Sequence, residues 1–501
     1  MSAVTLLPDL LGHAARTWPG RTAVLDAVTA VTYEDLQAHS ARVASWLADA
    51  GVGRGDRVVV ALPADATLVT VIWGVVRAGA VLVVVRDDAP APAVVHVLDD
   101  AQPVLVLSDA DVVHDAAHAA GVRVRRRSDL PGPARPGGPA PAALAPGTLA
   151  VDPALFVYTS GSTGMPKAVV STHAQVTFAV TAIASRLRYR WTDVVHCVLP
   201  LSFDYGLYQV LLCAQAGAAL HVGGGDEAGG RLLAGLRRSR ASVLPAVPSL
   251  AANLARLLER PGAAPPDLRL LTSTGATMPP EVLAVLRARI PTLRVQLMFG
   301  LTECKRAAIL DEDEDLLHPG ACGRALPGTE ILAVGPDGRP VPRGQLGELV
   351  VRGPHVMAGY WRRPELTAQR FVRRDGLFPE LRTGDHGWVD PGGYVYFAGR
   401  RDDVYKERGT RVSATEVEAA AHRCAGVEEA CVVLPGPAQD GAALVVVGDV
   451  EPDGVLRALR GQLEDGKIPA RCVVVGAMPL TANGKLDRAR LRDVVEVGAR
   501  A

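Results

Sequence analysis

The chain has 501 residues, of which 49% are hydrophobic, and its 53 basic residues are balanced by 53 acidic ones. A formal net charge of zero gives no electrostatic basis for binding nucleic acid or an anionic membrane, so we expect neither as a partner. No apolar run approaches the length of a membrane span, and the N-terminal residues lack the pattern of a signal peptide. Seven cysteines without a CxxC or another metal-ligand spacing favour reduced thiols, so we expect a cytoplasmic protein.

Strand-like and helix-like segments alternate in the first part of the chain. Between residues 56 and 107, the apolar runs RVVVAL, AVLVVV and PVLVL are separated by the helical stretches ATLVTVIWGVVRAG and APAVVHVLDDA. This alternation is typical of a parallel sheet that is covered by helices. A Pro/Ala/Gly-rich segment at 130–147 predicts a surface loop, and the α/β pattern then resumes from 176 to about 310.

The pattern changes after residue 325. Short β segments with Pro-Asp-Gly and Pro-Gly-Gly turns continue to residue 398 and predict hairpins. A new unit follows, in which Ser413-Ala-Thr-Glu416 has the spacing of a capping box before an Ala-rich helix. We predict an α/β protein with a large N-terminal domain, residues 1–398, that contains parallel-rich sheets and a small β subdomain. A small C-terminal α/β domain, residues 404–501, completes the prediction.

The segment YTSGSTGMPKAVVSTH, residues 158–173, concentrates glycine and hydroxyl residues before Lys167. Glycine lets the backbone approach a phosphate closely, and successive amides and hydroxyls can donate hydrogen bonds to it. A Walker A loop would place Gly before the lysine and Ser or Thr after it, whereas Pro166 and Ala168 stand there. By itself the segment is therefore either a phosphate-binding loop of another kind or a polar turn.

Lysine is rare in this chain. Only five of the 53 basic residues are lysines, and arginine serves everywhere else. A retained lysine is therefore favoured for a role that needs a compact, flexible point charge. The five are Lys167, Lys305, Lys406, Lys467 and Lys485.

Four further segments follow the glycine-rich loop in a fixed order. They are PLSFDYGLYQV (200–210), MFGLTECKR (298–306), RTGDHGW (382–388) with GRRDDVYKERGTRVSATEVE (399–418), and PLTANGKLDR (479–488). Together these motifs resemble the adenylate-forming superfamily, which contains acyl-CoA synthetases and the adenylation domains of nonribosomal peptide synthetases. The resemblance covers the chain from about residue 20 to its end. It implies an AMP-forming ligase that uses ATP and Mg²⁺.

The resemblance also implies which residues bind ATP. The glycine-rich loop would wrap the β- and γ-phosphates, Glu303 would bind Mg²⁺ and Thr302 would lie near the α-phosphate. Asp385 would accept the ribose hydroxyls with help from Arg400, although Thr-Gly-Asp is also a common turn sequence. The implied ATP-binding residues are Thr159, Ser160, Gly161, Ser162, Thr163, Gly164, Lys167, Thr274, Gly275, Phe299, Gly300, Asp385 and Arg400.

The small domain is implied to be mobile. In the superfamily it swings about a hinge, here residues 399–403 with Asp402 at its centre. One orientation would bring Lys485 to the substrate carboxylate and the α-phosphate, and the other would bring the KERGTR loop with Gly409 to the thiol. Lys485, Thr302 and Glu303 are the implied catalytic residues.

Asp204 is the residue that best discriminates between substrate classes. In members that activate amino acids, an aspartate in this motif binds the substrate ammonium, and a buried carboxylate with no partner would be costly. The alternative is an internal ion pair, for example with Arg306. The resemblance implies a substrate pocket of Asp204, Tyr205, Tyr208, Pro245, Leu271, Ser273, Met298, Lys305, Arg306 and Ala307.

Two tyrosines and a methionine leave room in this pocket only for a small side chain. In such a pocket Ser273, Lys305 and Arg306 would hold a second carboxylate or a backbone-like polar group; the alternative is that Lys305 points to solvent. The ECKR sequence resembles stand-alone enzymes that activate β-amino acids or small amino acids for macrolactam polyketides.

We therefore predict ATP-dependent activation of a small α- or β-amino acid as aminoacyl-AMP, with release of pyrophosphate. Because the chain ends shortly after the lysine motif, we expect a free-standing enzyme. It would then transfer the product to the phosphopantetheine thiol of a separate acyl or peptidyl carrier protein, in nonribosomal peptide or polyketide antibiotic biosynthesis. The first alternative is an AMP-forming acyl-CoA ligase for a small carboxylic acid. The second is an inactive homologue that serves as a binding subunit.

Overall fold

The computed structural model describes residues 5–132, 147–159, 166–373, 379–400, 404–407, 410–434, 441–463, 465–481 and 486–498. The chain forms two compact units, the first comprising Met1–Ile331 with Val351–Arg382 and the second Leu332–Val350 with Thr383–Ala501. The second unit thus includes residues 332–350 and 383–398, which the sequence analysis assigned to the large domain. The hinge stays a prediction because Asp402 lies outside the described residues, as do residues 133–146 of the predicted surface loop.

The helices and strands are numbered in chain order. The first part contains α1 (Leu7–Thr17), β1 (Thr22–Leu25), β2 (Ala30–Thr32), α2 (Tyr33–Asp49), β3 (Arg57–Ala61), α3 (Ala66–Arg77), β4 (Val81–Val84), α4 (Ala91–Ala101), β5 (Leu105–Ser108), α5 (Asp111–Ala119) and β6 (Arg123–Arg125). The next part contains β7 (Pro153–Thr159), β8 (Lys167–Thr172), α6 (His173–Leu187), β9 (Val194–Cys197), α7 (Asp204–Ala216), β10 (Ala219–Val222), α8 (Leu232–Arg238), β11 (Val243–Ala246), α9 (Pro248–Glu259), β12 (Leu270–Ser273), α10 (Pro280–Arg289), β13 (Arg294–Leu301), β14 (Lys305–Ile309) and β15 (Ala321–Ala325).

The remaining elements complete the first unit and build the second. They are β16 (Glu330–Val334), β17 (Gly347–Arg352), β18 (Gly359–Tyr360), α11 (Pro364–Arg370), β19 (Phe371–Arg373), β20 (Pro379–Val389), β21 (Tyr394–Arg400), β22 (Val404–Glu407), β23 (Thr410–Ser413), α12 (Ala414–His422), β24 (Val427–Val433), β25 (Ala443–Gly448), α13 (Pro452–Arg460), β26 (Arg471–Val475) and α14 (Arg488–Gly498). This mixture confirms the predicted α/β class.

Two sheets organise the first unit. One has the strand order β18-β8-β7-β4-β3-β5-β6, and the other runs β2-β1-β10-β9-β11-β12-β13-β14-β15. Strands β3 to β7 run parallel to one another, whereas at one edge β8 pairs antiparallel with β7 and β18 pairs antiparallel with β8. Val58, Val59 and Val60 in β3 are at most 1% exposed, because helices cover both faces of such a sheet. The predicted strands and helices between 56 and 107 are therefore confirmed.

Hydrogen bonds at helix starts explain where two long helices of the first unit begin. The Thr32 hydroxyl accepts from the backbone N–H of Asp35 at the start of α2. At the start of α6, Thr172 and Gln175 form a reciprocal capping box immediately after β8. Each cap satisfies backbone N–H groups that have no partner within the helix.

The second unit contains a longer antiparallel strand pair and two small sheets. β20 and β21 form an antiparallel pair, β22 pairs with β23, and β24, β25 and β26 form a three-stranded sheet. Helix α12 begins directly after Ser413, where the capping-box spacing predicts a helix start. Val417 and Ala421 of α12 pack with Leu444 of β25 in a common core. Within the described ranges, no helix is both long and apolar enough to cross a membrane.

Candidate active site

The glycine-rich segment connects two paired strands. β7 and β8 are antiparallel, and Thr159 at the end of β7 is the register partner of Lys167 at the start of β8. Because β7 continues the parallel sheet, the loop emerges at the carboxyl ends of the strands, where α/β sheets bind ligands. The predicted phosphate contacts Ser160, Gly161, Ser162, Thr163 and Gly164 lie outside the described residues and stay predictions.

Tyr360 links the lysine of this loop to the predicted magnesium ligand. The Lys167 ammonium lies 4.2 Å from the centroid of the Tyr360 ring, and the Tyr360 hydroxyl donates a 2.6 Å hydrogen bond to Oε1 of Glu303. Burial, together with the neighbouring carboxylate, raises the pKa of Tyr360, so the hydroxyl keeps its proton and remains a donor. Sequence reasoning missed Tyr360, because only the pairing of β18 with β8 brings it beside Lys167.

A tight hairpin positions Glu303 and Lys305. β13 and β14 are joined by residues 302–304, with Gly300 opposite Arg306 and Leu301 opposite Lys305. Lys305 has φ +58°, in the left-handed region that non-glycine residues adopt at a cost of about 1–3 kcal/mol. Its side chain is only 1% exposed. The alternative that Lys305 points to solvent is therefore wrong.

Asp204 and Arg306 lie close together in the interior. Asp204 begins α7 and is 6% exposed, and its Oδ2 lies 3.6 Å from a terminal nitrogen of Arg306. The Arg306 guanidinium lies 4.5 Å from the Tyr205 ring centroid and 5.6 Å from that of Tyr208. The Tyr205 hydroxyl is 2.7 Å from both the carbonyl and hydroxyl oxygens of Thr272, so this hydroxyl is held by β12.

Several buried polar atoms around this pair have no hydrogen-bond partner among the residues that the structure describes. They are Nζ of Lys305, both terminal nitrogens of Arg306, the Tyr208 hydroxyl and the Ser273 hydroxyl. Within the same set of residues, Arg306 has its one ion pair with Asp204, and Lys305 has none. Burial, opposed by the charges of Asp204 and Glu303, lowers the pKa of Lys305. Unmade hydrogen bonds of buried charged donors are costly, so this cluster suits an anionic ligand with several acceptor oxygens.

The other predicted pocket residues lie on the neighbouring strands. Ser273 ends β12, Thr274 follows it with 8% exposure, and Gly275 has φ +98°. Leu271 in β12 and Met298 in β13 belong to the main hydrophobic core of the unit. Phe299 in β13 is also buried, at 7% exposure. Their contacts with ATP or substrate stay predictions.

The second unit holds the predicted ribose site. Asp385 in β20 is 4% exposed and is the register partner of Arg400 in β21, so the two residues that the resemblance pairs lie opposite each other. The backbone N–H of Asp385 donates to the Thr383 hydroxyl, at 3.0 Å. The Arg400 side chain and Lys485 lie outside the described atoms and residues.

Gly300→Ala should destabilise the hairpin. An ideal Cβ at residue 300 would lie 1.8 Å from the Lys305 carbonyl oxygen, and a backbone atom cannot move aside as a flexible side chain does. We expect the free energy of unfolding to fall by at least about 1–3 kcal/mol, as measured by thermal and urea denaturation. Gly20→Ala is the matched control, because a Cβ there would meet nothing within 4 Å. Equal stability of the two variants would contradict the hairpin geometry.

Comparison with known families identifies the chain. Residues 11–361 match the family model described as AMP-binding enzyme, and residues 416–485 match that of the AMP-binding enzyme C-terminal domain. The chain belongs to the AMP-binding enzyme family. The resemblance to the adenylate-forming superfamily is thereby confirmed, and this AMP-binding enzyme is an AMP-forming ligase. Enzymes of this family use ATP.

Relatives of this AMP-binding enzyme include proteins named for carrier-protein loading or peptide synthesis and proteins named as CoA synthases. The L-proline–[L-prolyl-carrier protein] ligase of Pseudomonas fluorescens is 30% identical over 98% of this chain and 99% of its own length. A protein named as a nonribosomal peptide synthetase, CymA of Salinispora arenicola, is 34% identical over 96% of this chain, which spans 6% of CymA. Feruloyl-CoA synthase of Streptomyces sp. is 30% identical over 95% of this chain and 96% of its own length.

Two solved structures extend the comparison. The complex of VinN with L-aspartate is 34% identical, with a TM-score of 0.70 over 79% of this chain and 98% of the VinN chain. ATP-bound MatB from Rhodopseudomonas palustris is 27% identical, with a TM-score of 0.85 over 98% of this chain and 99% of its own. The relatives of this chain thus include proteins named as an amino-acid–carrier protein ligase and as a CoA synthase, and solved structures with bound L-aspartate or ATP.

Proposed function

We propose that this ligase activates a small amino acid with a second carboxylate, aspartate or a close analogue, as the aminoacyl-adenylate. The observation that carries the proposal is the buried pair Lys305 and Arg306, whose ammonium and terminal guanidinium nitrogens lack hydrogen-bond partners among the described residues. A second carboxylate would supply acceptor oxygens to both cations, while Asp204 would accept from the substrate ammonium. The L-aspartate complex of the relative VinN supports this substrate class.

The chemistry assigns a role to each group. An oxygen of the reacting carboxylate attacks the α-phosphorus of ATP; the bond to the pyrophosphate oxygen breaks, and pyrophosphate leaves with the electron pair. Lys167 and the glycine-rich loop would hold the β- and γ-phosphates. Thr302 would lie near the α-phosphate, and Lys485 would approach the reacting carboxylate. Preorganised cationic donors of this kind stabilise the charge that develops in the transition state.

Glu303 fits the proposed magnesium site. Its carboxylate is buried, and Oε1 accepts from the Tyr360 hydroxyl. A hard cation such as Mg²⁺ prefers carboxylate and phosphate oxygens, which this position offers together with ATP. When bound there, Mg²⁺ would neutralise charge on the phosphates.

The second half-reaction would load a carrier protein. We infer that a phosphopantetheine thiol of a separate acyl or peptidyl carrier protein attacks the carbonyl of the adenylate and that AMP leaves. The relative named as a prolyl-carrier protein ligase supports this acceptor, because it matches the chain over nearly the full length of both. The predicted hinge at Asp402 would exchange Lys485 for the 406–411 loop between the two steps. We expect this enzyme in the cytoplasm, in the biosynthesis of a peptide or polyketide natural product.

The second candidate function is an acyl-CoA ligase that activates a dicarboxylic acid without an amine and transfers it to CoA. The 3.6 Å separation of Asp204 and Arg306 favours it, because Asp204 would then serve an internal ion pair and no substrate ammonium would be needed. Relatives named as CoA synthases belong to the same family. The two candidates differ in the amine and in the acceptor thiol.

Four substrates separate these possibilities in a pyrophosphate-exchange assay. Relative to L-aspartate, L-alanine lacks the β-carboxylate, β-alanine lacks the α-carboxylate and succinate lacks the amine. We expect kcat/KM to be highest for L-aspartate, with transfer to a phosphopantetheinylated carrier protein. Preference for succinate with free CoA would support the dicarboxylic-acid ligase. Equal use of L-alanine would contradict binding of a second carboxylate by Lys305 and Arg306.

Glu303→Gln should lower turnover more than it lowers ATP affinity. The amide oxygen can still accept from the Tyr360 hydroxyl, so the fold should remain intact while the charge is lost. We expect kcat to fall about tenfold, with a higher Mg²⁺ concentration at half-maximal rate. The comparison variant Tyr360→Phe removes the hydrogen bond and keeps the charge, so its Mg²⁺ dependence should stay near that of the wild type. Full activity of Glu303→Gln at limiting Mg²⁺ would show that Glu303 is not the ligand.

A further inference from the structure

His196, His221 and Glu227 form a buried cluster with no part in the proposed reaction. His196 lies in β9 and His221 in β10, and the two residues are direct register partners in the parallel pairing of these strands. Their rings stack with centroids 4.5 Å apart and planes 9° from parallel. Glu227 comes from the short 3₁₀ turn Gly225–Ala228 that follows β10. All three side chains are at least nine-tenths buried.

The geometry points to a zinc site, and we propose that His196, His221 and Glu227 bind one Zn²⁺ ion. Oε2 of Glu227 lies 3.0 Å from Nε2 of His221 and 3.4 Å from Nε2 of His196, and the three ligand atoms lie within 4.8 Å of one another. Zinc binds imidazole nitrogen and carboxylate oxygen at about 2.0–2.2 Å, which in a tetrahedron separates neighbouring ligand atoms by roughly 3.3–3.5 Å. The two oxygen–nitrogen separations are close to these values. Because an imidazole binds a metal in its ring plane, binding would also require one of the two nearly parallel rings to rotate so that both nitrogens face the ion.

The hydrogen bonds around His196 leave its Nε2 facing the cluster without a partner. Nδ1 of His196 lies 3.0 Å from the Ser239 hydroxyl, which itself donates to the carbonyl oxygen of Gly235 at 2.9 Å. The Ser239 oxygen is therefore the acceptor, and Nδ1 carries the proton. Nε2 of His196 has no hydrogen-bond partner among the described residues. In a neutral ring this nitrogen carries a lone pair, which faces the Glu227 carboxylate. A bound cation would stabilise two electron-rich atoms placed so close together.

Neighbouring residues hold the Glu227 carboxylate in place. Its other oxygen, Oε1, accepts from Arg238, the last residue of α8, which directs Oε2 toward the histidines. Two glycines leave space for that oxygen, because an added Cβ would lie 2.9 Å from it at Gly223 and 2.8 Å from it at Gly235. Zinc sites commonly have such outer hydrogen bonds, which fix the ligand orientation.

The donor set selects the class of metal. Two imidazoles and one carboxylate suit Zn²⁺ and related divalent transition metals, whereas Mg²⁺ prefers oxygen ligands and octahedral geometry. The ion would tie the turn 225–228 to β9 and β10. The segment after β9 leads into α7 and Asp204, so this zinc site would stabilise the frame of the substrate pocket without contacting substrate. It is independent of the Mg²⁺ proposed at Glu303.

Metal analysis of the full chain tests the proposal. After treatment with a chelator and titration with Zn²⁺, we expect about one zinc per chain by mass spectrometry and a higher thermal midpoint. Titration with Co²⁺ should give the visible absorption of a four-coordinate site, a readout on the wild type that does not depend on any variant folding. Zinc that fails to bind the wild type, or Co²⁺ without that absorption, would overturn the proposal.

Variants locate the site. Glu227→Gln and His221→Gln should each weaken Zn²⁺ binding by at least about 100-fold. His355→Gln is the matched control. His355 is also fully buried, and its Nε2 has no hydrogen-bond partner among the described residues. Its Nδ1 contacts the Thr329 hydroxyl and, in the described part of the chain, no carboxylate, so it is not part of the proposed zinc site. We expect this control to keep its zinc. Equal zinc affinity of Glu227→Gln and the wild type would place the metal elsewhere and refute the site.

Discussion

Replacing Lys305 with Met and Arg306 with Leu should lower kcat/KM for L-aspartate by about 30- to 4,000-fold. This range corresponds to the 2–5 kcal/mol typical of truncating one side of a buried, hydrogen-bonded charge pair. Both side chains are at most 2% exposed, so water cannot replace the lost contacts to the second carboxylate. The same double variant should use L-alanine no worse than the wild type does, because L-alanine offers no carboxylate to these cations and its ammonium would meet fewer positive charges.

Arg306→Lys is the conservative companion to this double variant. It keeps the positive charge beside Asp204 but loses the planar fork that binds a carboxylate through two hydrogen bonds. Its kcat/KM for L-aspartate should therefore lie between that of the wild type and that of the double variant. Steady-state kinetics give the ratio of kcat/KM for L-aspartate to kcat/KM for L-alanine. If the double variant loses the same factor for both substrates, the change has damaged the fold or the ATP site. Binding of the second carboxylate by Lys305 and Arg306 would then be contradicted.

Much of the fold can be read from the sequence because burial leaves a local pattern. The continuous valine-rich runs of β3, β4 and β5 are strands covered on both faces, and α3 and α4 fill the stretches predicted between them. Strand order is not local. Nothing in the sequence shows that β7 pairs with β4, or that the two-residue strand β18 extends the sheet beside β8.

The predicted pocket shows the same limit. The motifs placed Asp204, Lys305 and Arg306 together, and the structure brings Asp204 and Arg306 to 3.6 Å as one alternative anticipated. The left-handed backbone of Lys305 depends on the close approach of Gly300 across the hairpin, a contact that no spacing rule encodes. The hydrogen bond from the Tyr205 hydroxyl to Thr272 is likewise a tertiary contact. Because this bond engages the hydroxyl, only the Tyr205 ring is left to contact a substrate.

The histidine cluster was missed for a related reason. Sequence reasoning about metals considered cysteine spacing and the glutamate of the GLTE motif. His196 and His221 stand on different strands, and only the register between β9 and β10 places them side by side. Glu227 reaches them from a glycine-rich turn that has no recognisable metal-ligand spacing in the chain. Ligands that are assembled by strand pairing leave no linear signature.

Asp204→Ala should decide whether the substrate carries an amine. If Asp204 binds the ammonium of L-aspartate in a dry pocket, its removal should cost about 2–5 kcal/mol in kcat/KM, roughly 30- to 4,000-fold. Because Asp204 also lies 3.6 Å from Arg306, the Ala variant leaves that cation without a carboxylate and should be less stable, so the isosteric Asp204→Asn is measured alongside it. Succinate has no ammonium to lose, and its kcat/KM should stay constant or rise as the pocket becomes more positive.

The selectivity of L-aspartate over succinate is therefore the decisive quantity, since a general loss of stability lowers both rates. Asp193→Asn is the matched control. Asp193 is a buried aspartate, 3% exposed, whose Oδ1 accepts from Arg269 at 2.8 Å, and it is not one of the proposed substrate-binding residues. This control should lose stability and keep its selectivity. If Asp204→Asn also keeps the wild-type selectivity, the Asp204 carboxylate serves only its pair with Arg306, and the amino-acid assignment gives way to a dicarboxylic-acid ligase.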